Sequence, residues 1–393
     1  MAKHIILNTK RILKLTTFIT INVFLLFTLN YIKSYRNSGN LKTILLWTPR
    51  KCPDCYPFEH FSSGSTVFEN NNCKYQNCYI DNRTNSNKPE ELYDAILFNG
   101  RPILYMRPNQ LPRKRNPNQR YIFLQLESNY RYPVCQEYYD NFFNWTITYR
   151  LDSTIPWPYF LVKDMDYRTI GPSVDMKWMD ERHLGEIDES LKGKLRNKTK
   201  LAAMFVSFCR DTSGRLKFVN RTRKILQRYH YDIDIYGYCG SLSCPKLQTK
   251  SCDNIVNKHY KFYLAFENSF SEDYITEKAL RALQNNAVPI VYGGSNYKRF
   301  LPPLSYIDAL HLGAARLADL MLDVSRDETK LFDYFKWRNQ YSYKDNTAGE
   351  EVMCQLCARL NEDEGRDTYP EFRKWWNHRE TNCNMTHLIH RLF

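Results

Sequence analysis

Charged side chains stand beside one short apolar run in the C-terminal half of the chain. Residues 262–266 are aromatic or apolar, and Glu267 and Asn268 follow them directly. Glu277 and Lys278 come shortly afterwards, where a segment with helical apolar spacing begins. Carboxylates can accept hydrogen bonds from ligand hydroxyls, and an ammonium group can donate to ligand oxygens. These residue types therefore suit a site for a polar ligand.

The pattern around these residues predicts one βαβ unit. A strand at 262–266 leads through a polar loop to a helix over 275–283, and a second strand covers 288–292. In open α/β sheets, ligands bind beyond the carboxyl ends of the strands and close to helix N-termini. The charged residues fall at that place. The alternative is that Glu277 and Lys278 form a solvated ion pair on the helix.

Two further residues occupy comparable positions. Glu127 follows a predicted strand at 121–126, where a carboxylate faces the crevice and can accept a proton from an incoming hydroxyl. Arg215 stands in the first turn of a predicted helix at 215–229, where a guanidinium can bind a phosphate. The alternatives are a helix cap or surface acid at Glu127 and a solvated arginine at Arg215.

Four stretches of this sequence resemble the signature of the α1,3-fucosyltransferase family. Three lie between residues 262 and 294: Phe-x-x-x-Phe-Glu-Asn-Ser, Asp-Tyr-Ile-Thr-Glu-Lys and Val-Pro-Ile-Val-x-Gly-Gly. The fourth is Leu126-Glu127-Ser128, followed further on by Phe143-Asn144-Trp145-Thr146. The resemblance implies an α/β protein of GT-B architecture, in which two Rossmann-like domains face a cleft. It also implies inverting transfer of L-fucose from GDP-β-L-fucose to the 3-hydroxyl of GlcNAc in glycoprotein glycans.

The resemblance gives each candidate residue a role. Glu127 would be the catalytic base. The implied donor-binding residues are Arg215 and Lys278 at the diphosphate, Glu277 at the ribose hydroxyls, and Tyr274, Glu267 and Asn268 around the donor. One position departs from the family: Phe208 stands where an asparagine commonly follows Val-Ser. Any polar contact that this asparagine makes in the family is therefore in question here.

A metal site has one weak sequence signal. Asp232-Ile233-Asp234 has the spacing of an Asp-x-Asp motif, but a strand with polar outer positions is the preferred interpretation. The resembled family has no metal in its catalytic machinery. We therefore expect no metal site and no tightly bound cofactor. Mn²⁺ or Mg²⁺ could still raise activity by pairing with the diphosphate of the donor.

Two other functions fit the same pattern. A catalytically inactive type II membrane protein could bind glycans, and a related transferase could use another nucleotide sugar. An inactive protein is disfavoured because the candidate site residues are intact, namely Glu127, Arg215, Glu277 and Lys278. The acceptor stays open between the core GlcNAc of an N-glycan and a peripheral Gal-GlcNAc unit.

The composition limits the class of partner. The chain has 393 residues, 43% of them hydrophobic, which is enough for two domains of ordinary size. Its formal net charge of +14 is compatible with nucleic acid, a membrane surface or an anionic small substrate. The sequence contains no zinc-finger helix, helix-turn-helix or RNA-binding aromatic motif, so we expect no nucleic-acid partner.

An uncharged stretch near the N-terminus predicts a membrane anchor. Leu15 to Ile32 contains no charged residue, and basic residues precede it. A cleaved signal peptide is the alternative, but no small-x-small cleavage pattern follows the stretch. We expect a single-pass type II protein of the Golgi membrane with a luminal catalytic region. The expected order is a cytosolic tail (1–14), the anchor (15–32), a stem (33–42), an acceptor-side domain (43–195), a GDP-fucose-binding domain (196–345) and a Cys-containing tail that packs back (346–393).

The cysteines and glycosylation sequons favour an oxidising compartment. The chain has 12 cysteines, an even number that suggests disulfides. Cys52-x-x-Cys55 with Cys73 and Cys78 approaches zinc-ribbon spacing, but long-range disulfides are the preferred interpretation behind an anchor. The resemblance implies that the C-terminal Cys354-x-x-Cys357 is tied back to N-terminal-region cysteines, with Cys73 and Cys78 as the candidates. The Asn-x-Ser/Thr sequons are Asn82, Asn144, Asn197, Asn220 and Asn384.

The remaining pattern places further elements. Strands are predicted at 42–47, 93–98, 200–208 and 233–237. Residues 70–89 are rich in Asn, Ser and Cys, which predicts a surface loop. Trp375 and Trp376 in the C-terminal tail are predicted to pack in the interior rather than to form a sugar platform.

Overall fold

The described part of the chain begins after the predicted anchor. A computed structural model of the protein describes residues 41–48, 57–244, 249–363, 365, 368–377 and 383. The predicted cytosolic tail at 1–14, the anchor at 15–32 and the stem up to residue 40 lie outside these residues. Among the helices within the described ranges, none combines the length and apolarity that crossing a bilayer requires.

Short strands and helices alternate along most of the chain. The strands are β1 (Lys42–Leu46), β2 (Cys78–Asn82), β3 (Ala95–Asn99), β4 (Arg120–Gln125), β5 (Trp145–Thr148), β6 (Ile155–Pro156), β7 (Phe160–Lys163), β8 (Thr169–Gly171), β9 (Lys200–Phe205), β10 (Ile233–Tyr236), β11 (Tyr260–Phe266), β12 (Val288–Tyr292), β13 (Ile307–Asp308) and β14 (Ser342–Asp345). The helices are α1 (Thr66–Asn70), α2 (Glu189–Arg196), α3 (Arg215–Gln227), α4 (Thr249–His259), α5 (Glu277–Gln284), α6 (Ala309–Arg326), α7 (Glu328–Asp333), α8 (Glu350–Glu362) and α9 (Phe372–Asn377).

Two parallel sheets organise the molecule, as the predicted α/β class requires. The first has the strand order β2, β1, β3, β4, β5, β6, and the second has the order β10, β9, β11, β12, β13. Every residue of β3, β4 and β12 is buried, because both faces of a central parallel strand are covered. Continuous apolar runs of this kind are easy to recognise in a sequence. The predicted strand at 288–292 is confirmed without change, and the one at 121–126 is confirmed one residue earlier.

Strand β2 contradicts the surface loop predicted over residues 70–89. It pairs with β1 in parallel and forms one edge of the first sheet. Cys78 and Ile80 point into the core, whereas Tyr79 is 41% exposed. An edge strand keeps one polar face, so its apolar pattern is too short to stand out among the neighbouring Asn and Ser residues.

The C-terminal residues return to the first sheet. Strand β14 pairs with β7 in a small antiparallel sheet that also contains β8. Trp376 of α9 is fully buried, and its ring centroid lies 4.9 Å from that of Phe123 in β4. Its Nε1–H donates a hydrogen bond to the backbone oxygen of Tyr132 at 2.9 Å. The packing role predicted for this tryptophan is therefore confirmed.

Disulfides fix the same return of the chain. Cys73 is bonded to Cys354, and Cys78 of β2 is bonded to Cys357 of α8, as the resemblance implied. A zinc-ribbon site that includes Cys73 and Cys78 is contradicted, because sulfurs in disulfides are not thiolate ligands. Three further bridges are Cys135–Cys383, Cys209–Cys239 and Cys244–Cys252. Cys52 and Cys55 lie outside the described residues.

Candidate active site in the cleft between the two sheets

The carboxyl ends of strands β4 and β11 meet across the cleft. Tyr274 Oη donates a hydrogen bond to Glu127 Oε2 at 3.1 Å, which joins the loop after β11 to the residue after β4. Beside this contact, the hydroxyl oxygens of Ser128 and Ser269 lie 2.5 Å apart in a buried hydrogen bond. These residues are far apart in sequence, and the edges of the two sheets bring them together. Ligand crevices of α/β proteins lie at edges of this kind.

Glu127 has the position that a proton acceptor needs. It is half-buried, and its backbone N–H donates to the side-chain oxygen of Gln125 at 3.0 Å, which turns the chain at the end of β4. Its Oε2 accepts from Tyr274, and the residue remains partly accessible. A carboxylate held in this way can accept a proton from a hydroxyl group that enters the cleft.

Tyr274 is a fixed hydrogen-bond donor. Its side chain is buried, and its ring meets those of Tyr149 and Tyr159 edge-on, at centroid distances of 5.0 and 6.2 Å. Burial, followed by the charge of Glu127, raises the pKa of Tyr274 well above its usual value. The phenol therefore stays protonated and donates to Glu127 throughout the neutral range.

The loop that carries Tyr274 is pinned to both sheets by Asp273. This residue has a left-handed backbone with φ of 58° and is buried. One carboxylate oxygen accepts from the backbone N–H of Leu151, which follows β5, at 3.1 Å. The other accepts from the Arg299 guanidinium at 2.8 Å. Burial raises the pKa of Asp273, and the bond to Arg299 acts in the opposite direction.

Lys278 and Glu267 form an ion pair at the N-terminus of helix α5. Lys278 Nζ lies 2.9 Å from Glu267 Oε2 and also donates to the hydroxyl of Thr276 at 2.8 Å. The backbone N–H of Thr276 donates to the other Glu267 oxygen at 3.0 Å. Burial raises the pKa of Glu267. Burial acts to lower the pKa of Lys278, but the charges of Glu267 and Glu277 outweigh it and raise that pKa.

Glu277 and Asn268 remain accessible beside this pair. The Glu277 side chain is 48% exposed, and one oxygen lies 3.3 Å from Lys278 Nζ. Burial acts to raise the pKa of Glu277, but Lys278 outweighs it and the pKa is lowered. Asn268 is half-buried, and its side-chain oxygen accepts from the Ser269 hydroxyl at 3.1 Å. The exposed carboxylate can accept hydrogen bonds from ligand hydroxyls.

Arg215 lies at the first turn of α3 as predicted, but its side chain is buried rather than open to the cleft. The residue is 3% exposed, and its Nε lies 2.8 Å from a carboxylate oxygen of Asp211. Its terminal nitrogens donate to the backbone oxygens of Phe266, at 2.9 Å, and Phe208, at 3.1 Å. In this geometry the guanidinium fixes the loop between β9 and α3. A contact between Arg215 and a diphosphate stays a prediction.

Sequence reasoning missed Asp211 and Asp273. Asp211 stands four residues before Arg215. An acidic residue just before an arginine in the first turn of a helix can indicate such an ion pair. Asp273 opens the Asp-Tyr-Ile-Thr-Glu-Lys stretch, but its role had no signal, because the group that fixes it to the first sheet is the backbone N–H of Leu151. A backbone partner so distant along the chain leaves no pattern of residue types.

The two aspartates of the Asp-x-Asp motif pair with side chains of the protein. Asp232 accepts from Nε and Nη2 of the Arg223 guanidinium, and Asp234 pairs with Lys200 Nζ at 2.7 Å. Asp234 also accepts from the Tyr260 hydroxyl at 2.5 Å. Within the described part of the chain, no three acidic, histidine or cysteine side chains are grouped as ligands for a metal ion.

The sequons differ in accessibility. Asn144 is buried, and its side-chain oxygen accepts from the backbone N–H of Tyr121 and from Arg115. The exposed sequons are Asn197, at the end of α2, and Asn220, on α3, whereas Asn82 is half-buried at the end of β2. Asn384 lies outside the described residues. Because the side chain of Asn144 is buried and hydrogen-bonded, this residue is a poor glycan acceptor.

Known proteins resemble this chain over most of its length. The model of the glycosyltransferase family 10 (fucosyltransferase) C-terminal region matches residues 195–375, and the fucosyltransferase N-terminal model matches residues 39–160. Alpha-(1,3)-fucosyltransferase C of Drosophila melanogaster is 35% identical over 343 residues, which cover 85% of this chain and 77% of that protein. Glycoprotein 3-alpha-L-fucosyltransferase A of the same fly is 31% identical over 354 residues, covering 88% of this chain and 62% of that protein.

A solved structure of an alpha1,3-fucosyltransferase with GDP-fucose aligns with 82% of this chain and 91% of its own, at 15% identity and a TM-score of 0.48. The assignment itself rests on the sequence matches, which extend from the first sheet to the C-terminal helices and include both edges of the cleft. The chain therefore belongs to glycosyltransferase family 10, the fucosyltransferases.

Proposed function

We propose that this glycosyltransferase moves L-fucose from GDP-β-L-fucose to the 3-hydroxyl of a GlcNAc residue in glycoprotein glycans, with inversion at the fucose carbon. The observation that carries this proposal is the hydrogen bond between Tyr274 and Glu127, which joins the predicted donor loop to the predicted base. Family membership supports transfer of fucose from GDP-fucose. In the GT-B arrangement that we propose, the second sheet holds the donor and the first holds the acceptor.

The donor would lie against the loop between β11 and α5. The exposed Glu277 would accept hydrogen bonds from the ribose hydroxyls, and Lys278, at the N-terminus of α5, would face the diphosphate. An ammonium group and free backbone N–H groups stabilise the negative charge that develops on departing GDP. We expect Lys278→Ala to weaken GDP-fucose binding and transfer together, as measured by calorimetry and initial rates.

Glu127 would supply the proton acceptor. As the GlcNAc 3-oxygen attacks fucose C1 from the face opposite GDP, its proton passes to a Glu127 carboxylate oxygen. The bond between C1 and the β-phosphate oxygen breaks, and its electron pair leaves with GDP. One displacement turns the β-linked donor into an α-linked product, so no covalent intermediate on the protein is required.

A product assay on the full chain tests this function. GDP-fucose is offered with a trimmed N-glycan and with N-acetyllactosamine, and the labelled product is identified by mass spectrometry. We expect fucose on at least one acceptor, and the labelled acceptor identifies the class. GDP-mannose serves as the donor control. Transfer from GDP-mannose alone would favour another nucleotide sugar, and GDP binding without any transfer would favour an inactive glycan-binding protein.

We also propose that the enzyme is a single-pass type II protein of the Golgi membrane with its catalytic region in the lumen. The uncharged stretch Leu15–Ile32 supports an anchor, and five disulfides within the described residues suit an oxidising compartment. Deleting residues 1–40 behind a cleavable secretion signal should release active enzyme into the medium. Retention of that variant in the cell membrane would contradict the anchor.

Divalent cations should act only through the donor. Mn²⁺ or Mg²⁺ would pair with the diphosphate of GDP-fucose, so we propose that they raise the rate without being required. Initial rates with EDTA and with added Mn²⁺ test this proposal. Complete loss of transfer in EDTA would contradict it.

A further inference from the structure

A cation from the first sheet lies against an exposed aromatic ring of the second. The Arg131 guanidinium stands 4.9 Å from the ring centroid of Phe208, which is 47% exposed in the loop after β9. Arg131 belongs to the turn that follows Glu127, and its backbone N–H donates to the backbone oxygen of Ser128 at 3.0 Å. The contact therefore crosses the cleft beside the candidate base.

Both partners are held in place by their loops. The Ser128 hydroxyl is hydrogen-bonded to the hydroxyl of Ser269 in the loop after β11, which fixes the turn before Arg131. The backbone oxygen of Phe208 accepts from Arg215, and the neighbouring Cys209 is bonded to Cys239. A guanidinium stacked on an aromatic face keeps its N–H groups at the rim available for another partner.

Arg131 has no acidic partner within the described residues. Its side-chain interactions there are with the rings of Phe208 and, at 5.6 Å, Tyr132. Two other arginines beside the donor loop are paired: Arg215 with Asp211, and Arg299 with Glu272 and Asp273. The free donors of Arg131 suit an anionic ligand, because a guanidinium can bind phosphate oxygens with two parallel hydrogen bonds.

The charges bonded around the donor loop favour a further cation. Three cations and six carboxylates bond to one another or to Tyr274 there: Arg215, Lys278, Arg299, Asp211, Glu127, Glu267, Glu272, Asp273 and Glu277. Carboxylates outnumber cations in this group even when Glu267 is protonated. A diphosphate would add further negative charge, which an unpaired cation such as Arg131 can offset.

We propose that Arg131 is a donor-binding residue that reaches across the cleft from the acceptor side and pairs with the diphosphate of GDP-fucose. The ring of Phe208 holds its guanidinium in position for this contact. Because the turn of Arg131 also carries Glu127, bound diphosphate would draw the base toward the donor. The proposal rests on the proposed use of GDP-fucose, and it gives a function to the phenylalanine that replaces the asparagine common in the family.

Binding measurements on the full chain test this role. Arg131→Met should raise the Kd for GDP roughly 10- to 100-fold, because a charge-assisted contact is lost, and should leave the Kd for guanosine unchanged. Arg131→Lys should recover part of the GDP affinity. Phe208→Leu removes the aromatic ring but keeps the Arg131 guanidinium and the charge of the diphosphate. It should therefore raise the Kd for GDP less than Arg131→Met does. Raising the salt concentration should weaken GDP binding less in Arg131→Met than in the wild type.

Arg113→Met is the matched control, because it removes an equal charge from an exposed position before β4. Its GDP affinity should equal that of the wild type. Unchanged GDP binding in Arg131→Met overturns the inference. An increase in the acceptor KM alone also overturns it, because Arg131 would then bind the glycan rather than the diphosphate. Wild-type protein that binds no GDP overturns both this inference and the proposed donor. Wild-type protein that binds GDP without transferring fucose contradicts the proposed reaction alone.

Discussion

At the scale of single residues, Glu127 carries the sharpest prediction. Glu127→Gln keeps the side-chain volume and can still accept from Tyr274, but it cannot take a proton from the acceptor. We expect kcat to fall by about 10² to 10⁴, as removal of a general base does, with GDP-fucose affinity retained. Steady-state rates and donor titration provide the two readouts.

The control for this variant is Glu137→Gln, because Glu137 has an 88% exposed side chain in the same half of the molecule. Its rate should match the wild type. Transfer by Glu127→Gln at close to the wild-type rate would show that another group takes the proton.

Lys198 predicts a pH dependence of stability outside the active site. It is 2% exposed, and its Nζ donates to the backbone oxygens of Val256 and Tyr260. Burial, helped by the charge of Arg338, lowers the pKa of Lys198 to about 7. The unfolded chain therefore binds a proton that the folded protein lacks between about pH 7 and the usual lysine range, so stability rises with pH across that window.

Lys198→Met removes this titration. The free energy of unfolding of the wild type, relative to the variant, should increase by about 2 kcal/mol from pH 7 to pH 9. Urea unfolding of both proteins at the two pH values measures the difference. A constant difference across the range would mean that Lys198 keeps its proton in the folded protein.

At the scale of elements, the loop between β11 and α5 decides whether donor and base are aligned. Asp273 lies in this loop with a left-handed backbone conformation, which Asp and Asn tolerate better than most residues. Its carboxylate accepts hydrogen bonds from the Leu151 backbone N–H and from the Arg299 guanidinium. Asp273→Ala should destabilise the protein by about 3 kcal/mol and lower kcat/KM, because both bonds and the backbone preference are lost. Asp273→Asn should lower the free energy of unfolding by only about 1 kcal/mol.

Chemical unfolding and initial rates measure both variants. His230→Ala is the control, since His230 also has a left-handed backbone, with φ of 65°, but is exposed and remote from the loop. It should lose only the backbone preference and keep full activity. If Asp273→Ala and His230→Ala lose the same free energy of unfolding, Asp273 stabilises the protein only through its backbone conformation.

The same elements show how far the sequence alone could lead. Long apolar runs such as β4, β11 and β12 were recognised because central parallel strands bury both faces. Edge strand β2 was missed because half of its residues face outward. The charged residues of the site were found by their place after strands, whereas the bond from Tyr274 to Glu127 spans 147 residues and depends on how the sheets pack. Burial of Arg215 was missed because two of its acceptors are backbone oxygens.

At the scale of the whole molecule, two neighbouring disulfides tie α8 to β2 and to the segment just before it. Cys73–Cys354 and Cys78–Cys357 span 281 and 279 residues. Because Cys135–Cys383 already joins the same two regions, the first of these bridges to form closes a ring of roughly 90 residues, which reduces the entropy of the unfolded chain by an amount worth about 5 kcal/mol. With one bridge present, the second closes only the short ring between the two pairs, worth about 2 to 3 kcal/mol.

The two bridges should therefore be strongly non-additive. Replacing Cys73 and Cys354 with alanine should lower the free energy of unfolding by about 2 to 3 kcal/mol, and replacing Cys78 and Cys357 should have a similar effect. Removal of all four cysteines should lower the free energy of unfolding by about 7 kcal/mol, above the sum of the two separate losses, because the ring that runs through Cys135–Cys383 is then open as well. Denaturant unfolding of the three variants measures these values. Additive losses would mean that each bridge stabilises the folded contacts between β2 and α8 locally, rather than restraining the unfolded chain.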